Sequence, residues 1–186
     1  MTNQPPQQCV IPLHKPSGRE LTFFFMSGIL VSVPMALFFS NAYPYVPILV
    51  STVVFAPFVE EIAKVFPLFY RHGETERSTV SLGVLIGLGF GISEFFLYVV
   101  FLRVPPVARV PGVIFHASSA GTTAYGIAKK NPWPFYLTSV MLHAANNFFA
   151  ATNIAAGVFV ELLVVIIAYL LAWRFYHDSS TKKIVV

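Results

Sequence analysis

Six stretches of this chain are too long and too apolar for a fold that water must cover. They run roughly over 21–40, 46–70, 79–103, 107–128, 134–152 and 154–173. Each is close to the ~20 residues that cross a ~30 Å hydrocarbon layer as a helix. Runs such as VELLVVIIAYLLAW do not alternate, which argues against a membrane β-barrel. Backbone groups in lipid need partners within their own segment, which leaves helices. The composition agrees: 56% of the 186 residues are hydrophobic and 11% are charged, with a mean hydropathy of +0.70. The expected fold is an all-α polytopic membrane protein of about six transmembrane helices. It forms a single bundle over 20–174, between tails at 1–19 and 175–186 that are expected to be loosely ordered.

The net charge of +4 and pI near 9.3 raise the question of nucleic acid. The cations, however, sit between apolar runs and do not form one patch, so no nucleic-acid partner is expected. Lys15, Arg19, Arg71, Arg77, Lys129, Lys130, Arg174, Lys182 and Lys183 all fall on one side of a six-span bundle. Arg103 and Arg109 fall on the other, so both termini are expected to be cytoplasmic. The SNA at 40–42 faintly resembles a signal-peptidase site, but the apolar run before it is long and reads as an uncleaved anchor. Cys9 is the only cysteine, which excludes an internal disulfide. The loop RHGETERS reads as a solvated turn, and Tyr43, Tyr45, Trp133 and Trp173 as interfacial anchors.

Ionisable groups inside such spans cost a few kcal/mol or more and point to function. Glu60 and Glu61 lie in the second span, Glu94 in the third, His116 in the fourth and His143 in the fifth. Antiparallel counting puts Glu60, Glu94, His116 and His143 at similar depth. Glu161 falls nearer one end of the last span, where it is expected to reach the outer interface. Gly83, Gly87 and Gly91 recur every four residues, a small-residue stripe that lets a neighbouring helix approach, and Glu94 shares that face. Tyr98 follows Glu94 at i+4, in reach of a hydrogen bond. His143 and Asn147 stack at i, i+4. Gly112, His116, Ser119, Ala120 and Thr123 form a matching polar strip. Glu60 and Glu61 are ~100° apart around their helix, so one of them faces this interior. Glu60 is placed to pair with Lys64 at i+4, and Pro57 to kink the helix.

Carboxylates and imidazoles converging at mid-membrane suit a hydrolase. Glu94, His116 and His143 are candidate ligands for Zn²⁺ or another divalent metal, and three protein ligands plus water make a catalytic site. A further glutamate, Glu60 ahead of Glu61, then serves as general base, with or without a metal. His143 and Asn147 are candidate donors to a tetrahedral oxyanion. There is no H-E-x-x-H and no G-x-S-x-G, and the only aspartate, Asp178, lies in the tail, which excludes an aspartyl dyad.

The four segments E60-E-I-A-K64, F90-G-I-S-E94 with Tyr98, H116-A-S-S-A-G121 and H143-A-A-N-N147 lie on four successive spans. In that order they resemble the PrsW-type intramembrane proteases, within the wider superfamily of CAAX-processing and bacteriocin-maturation membrane peptidases. Lys64 and Glu94 stand where CAAX-type members resemble arginine and histidine, which favours the PrsW branch. The resemblance implies a membrane-embedded endopeptidase in a prokaryotic plasma membrane, acting on transmembrane or membrane-anchored protein substrates. It also implies an active core of Glu60 or Glu61, Glu94, His116 and His143.

Other functions fit parts of this pattern. A non-catalytic scaffold of the same superfamily would also retain membrane histidines. A proton- or cation-coupled transporter uses buried Glu and His, but it predicts an internal repeat that the sequence lacks. A haem site on His116 and His143 leaves the carboxylates unexplained.

Overall fold

The computed structural model describes residues 13–40, 46–70, 74–152 and 156–185. Cys9, Tyr43, Tyr45, Arg71 and positions 41–42 of the SNA segment lie outside the described residues. Among those described there are six helical runs and no strand. α1 covers Gly18–Ser27, Gly28–Ser32 in π form, and Val33–Ser40. α2 covers Ile48–Val50, Ser51–Phe55 in π form, Ala56–Val65, and a final 3₁₀ stretch, Phe66–Tyr70. α3 covers Glu76–Phe96 and a π stretch, Leu97–Phe101; α4 is Pro106–Ala128, α5 Pro132–Thr152 and α6 Gly157–Asp178.

Three of these helices are long and apolar enough to cross a membrane, over Gly18–Phe38, Glu76–Phe101 and Gly157–Asp178, with mean hydropathies of 2.0, 2.1 and 2.2. α2, α4 and α5 carry the polar strips, which lowers their hydropathy without shortening them. They also carry exposed apolar side chains, Phe58, Ile62, Ile114, Leu137 and Met141 among them.

Local chemistry sets the helix starts. Ser17 caps α1 in a capping box with Glu20, and Thr75 accepts from the Ser78 amide at the start of α3. The π turns of α1 and α2 each end two residues before a proline, Pro34 and Pro57. Proline removes an amide donor and crowds the carbonyl one turn back, and widening that turn relieves the clash. Pro57 therefore marks a π turn in α2.

The glycine stripe of α3 packs on α4. A methyl at Gly87 would overlap the His116 carbonyl and the Ala120 side chain, so only glycine lets the two backbones approach there. On the opposite side of α3, Gly28 of α1 lies against the Ile86 carbonyl in the same way. α4 and α5 are joined by Thr123 Oγ1 donating to Ser139 Oγ at 3.1 Å, and Ser139 Oγ donating to the Ser119 carbonyl at 3.0 Å. His116 and His143 stand within one turn of these bonds, which fixes them side by side.

The C-terminal segment is not a loose tail. α6 continues to Asp178, and the chain then folds back onto the start of α3. The Glu76 amide donates to the Lys183 carbonyl, Arg77 to Ser180 and Val185 to Glu74. Nor is the described part of RHGETERS, from Glu74 on, a solvated turn: Glu74, Thr75 and Glu76 are buried beneath this segment. Glu76 receives Lys129 at 2.8 Å and the Ser180 amide at 3.0 Å, with Lys183 at 3.1 Å. Buried carboxylates demand such partners, and the backfolded segment supplies them.

Candidate active site

The second span orients its two glutamates differently from the sequence expectation. Pro57, Glu61, Lys64 and Val65 form the buried stripe of α2, while Phe58, Ile62 and Phe69 are exposed. Lys64 therefore pairs with Glu61, at 2.6 Å, and not with Glu60. Both are fully buried, and the ammonium also lies 4.9 Å from the centre of the Phe90 ring. Glu61 Oε1 is in addition 2.8 Å from His143 Nδ1. A carboxylate only accepts, so this contact puts the His143 proton on Nδ1 and its lone pair on Nε2.

His143 Nε2 faces Glu60, 3.7 Å from Oε2. That Glu60 oxygen is buried and has no hydrogen-bond partner. Across from it, His116 Nε2 lies 2.5 Å from Glu94 Oε2, and His116 Nδ1 is buried without a partner. The two imidazoles meet edge to face, with ring centres 5.3 Å apart, and Phe115 flanks both.

Two features were not foreseen from the sequence. Arg109 enters the site: its Nη2 is 3.2 Å from Glu94 Oε2, and its guanidinium lies 3.8 Å from the centre of the Tyr98 ring. Tyr98 thus stacks on the arginine, and the expected Tyr98–Glu94 hydrogen bond is absent. Arg109, Gly112 and His116 are spaced i, i+3, i+7 along α4, the one signal that could have placed Arg109 beside Glu94. The second feature is Asn147, whose Nδ2 donates to the Thr52 carbonyl at 3.0 Å.

These groups border a cavity of about 1200 Å³, lined among others by Glu60, Glu94, Tyr98, Arg109, His116, His143 and Asn147. It reaches the C-terminal ends of α1, α3 and α5 and the N-terminal ends of α2, α4 and α6, and Glu161 lines it too. Glu161 therefore borders the cavity of the site itself.

One ligand atom each from Glu60, His116 and His143 lies within 4.8 Å of the others. The trio expected from the sequence had Glu94 in place of Glu60. The structure instead puts Glu94 against His116 and Arg109, and turns the free oxygen of Glu60 toward the histidines. Two imidazoles and a carboxylate form a donor set suited to zinc and related divalent ions. Histidine ligands usually carry a carboxylate on the other ring nitrogen, as Glu61 does for His143. The buried, unpartnered Glu60 oxygen fits the same reading.

A family model described as PrsW family intramembrane metalloprotease matches residues 17–173. The chain belongs to the PrsW family. The match reaches into all six helices and includes every residue named in this site. No curated protein and no solved structure matches the chain. At the level of the PrsW family the protein is an intramembrane protease. Glu60, Glu94, His116 and His143, which converge from four helices, all lie within the matched span.

Proposed function

We propose that this PrsW-family protein is an endopeptidase that cleaves transmembrane or membrane-anchored proteins in a prokaryotic plasma membrane. All six helices cross the membrane, with both termini cytoplasmic, and the place within the CAAX-processing superfamily follows from the order of its motifs. The reading rests on one observation: the unpartnered oxygen of Glu60 faces two buried imidazoles at the wall of a cavity of about 1200 Å³.

Glu60 Oε2 accepts the proton of a water held against His116 and His143, and that water attacks the scissile carbonyl. Glu61 holds His143 in the tautomer with its lone pair on Nε2. Glu94 holds His116, and Arg109 holds Glu94. Apolar walls, Phe115 and Val165 among them, exclude bulk water and strengthen each polar contact inside. Glu60, His116 and His143 are the residues that would hold a divalent ion, which would supply a Lewis acid and lower the pKa of water toward ~7.

The test is purification in detergent, with metal content and cleavage of a model transmembrane peptide measured together. Wild type should cleave, and E60Q, H116A and H143A should not. Full cleavage by all of E60Q, E61Q, E94Q, H116A and H143A would overturn the reading. So would a wild type inert toward a broad panel of transmembrane peptides.

A further inference from the structure

The hydrogen bond from Asn147 to Thr52 has a cause in the sequence of α2. In the π turn Ser51–Phe55 each carbonyl looks five residues ahead for its donor, and the Ala56 amide accordingly goes to Ser51 O. The next carbonyl in that register is Thr52, and its donor would be residue 57. Residue 57 is proline and has no N–H. Thr52 O is thus left without a main-chain partner at the wall of the cavity, where its donor must come from a side chain or from solvent. Asn147 Nδ2 fills this gap from the neighbouring helix at 3.0 Å.

Two further bonds run between α5 and α2. Tyr136 Oη donates to the Phe58 carbonyl at 2.8 Å, and His143 Nδ1 donates to Glu61. Tyr136, His143 and Asn147 share one face of α5, at i, i+7 and i+11. They hold α2 at Thr52, Phe58 and Glu61, over the stretch that leads up to and includes the glutamate pair. The π turn sets the rotation of everything after it, since the extra residue in the turn shifts the azimuth of Glu60 and Glu61 together.

We propose that Asn147 is a positioning residue. It replaces the donor that Pro57 lacks, stabilises the π turn of α2, and so sets the rotation that aims Glu60 at the histidines. Its effect on cleavage rests on the role of Glu60 given above, whereas its effect on stability does not.

Two measurements on the full chain in detergent test this: the thermal midpoint, and kcat and KM for a model transmembrane peptide. N147A should lower the midpoint and lower kcat on the order of tenfold with little change in KM. P57A restores an amide facing Thr52 O, and P57A/N147A should recover most of both losses. N147D sets an acceptor against the carbonyl and should lower the midpoint at least as far as N147A. A donor to the reaction's oxyanion behaves otherwise: N147A then loses kcat at an unchanged midpoint, and P57A brings no recovery. Either result overturns the proposal, as does N147D with a wild-type midpoint, which decides the matter even if P57A does not fold. If wild type cleaves nothing, the midpoints still decide the role of Asn147, and only the protease reading fails.

Discussion

The Lys64 ammonium lies 2.6 Å from Glu61 Oε1, three residues back on the same helix, with both side chains fully buried. Each charge exists there because of the other. Removing one partner leaves a bare charge in a medium that cannot solvate it, at a cost of roughly 3–5 kcal/mol. K64M should therefore cause a large loss of thermal stability. E61Q/K64M, with no bare charge, should be much closer to wild type. Thermal midpoints of the two single variants and the double variant give the coupling directly. Additive losses would contradict the pairing.

Glu60 and Glu61 are neighbours in sequence with opposite tasks. Glu60 faces the cavity with a free oxygen, and Glu61 is spent on Lys64 and His143. E60Q should abolish cleavage, by roughly 10²- to 10⁴-fold in kcat, and lose bound divalent metal with it, with the fold intact. E61Q should keep some activity but hold a divalent metal about 10–100-fold more weakly, because His143 loses the carboxylate that orients it. Mass spectrometry of bound metal beside kcat separates the two. The roles assigned here are reversed if E61Q is inert with full metal content and E60Q is active.

Much of this was legible in the sequence, and what was not has particular causes. The six helical runs, the glycine face of α3 and the meeting of Glu60, Glu94, His116 and His143 follow from apolar length and 3.6-residue spacing. Those signals are one-dimensional and survive without a partner structure. The choice of Glu61 over Glu60 for Lys64 was not legible, because i+3 and i+4 pairs are both close on a helix. The exposed apolar residues decide it: Phe58, Ile62 and Phe69 lie on the outer face of α2, which turns Glu61 and Lys64 inward. Arg109 was read as an outer-side charge, since the count that sets orientation ignores where a guanidinium can reach. The C-terminal clasp was hidden because its bonds are mostly to backbone groups of residues a hundred positions away.

Arg109 completes the line from Tyr98 through Glu94 to His116. Its guanidinium is both stacked and ion-paired, a geometry that lysine cannot reproduce. R109Q should lower kcat about tenfold by freeing Glu94 from its place against His116. R109K should recover only part of this, and neither variant should change the thermal midpoint by more than about 1 kcal/mol equivalent, given the partial exposure of the pair. Peptide-cleavage kinetics of the two variants provide the check. Wild-type kcat in R109Q would remove Arg109 from the site.

At the opposite end of the bundle Lys129, in the loop after α4, donates to Glu76 Oε2 at 2.8 Å. The Glu76 carboxylate raises the Lys129 pKa above the ordinary lysine value of 10.5. A base whose pKa rises on folding stabilises the fold fully below its unfolded value, and the contribution is lost as pH climbs through the raised folded value. The bond ties together the ends of α3 and α4 and the backfolded segment after α6. K129M should therefore lower stability by ~1 kcal/mol, with the bond partly exposed. The gap in thermal midpoint between wild type and K129M should be nearly constant from about pH 7 to about pH 10 and close only above that. Peptide cleavage by K129M at neutral pH should stay near wild type, because the clasp and the site lie at different ends of the helices. A gap that closes already below about pH 9 would show that Lys129 is not held by Glu76.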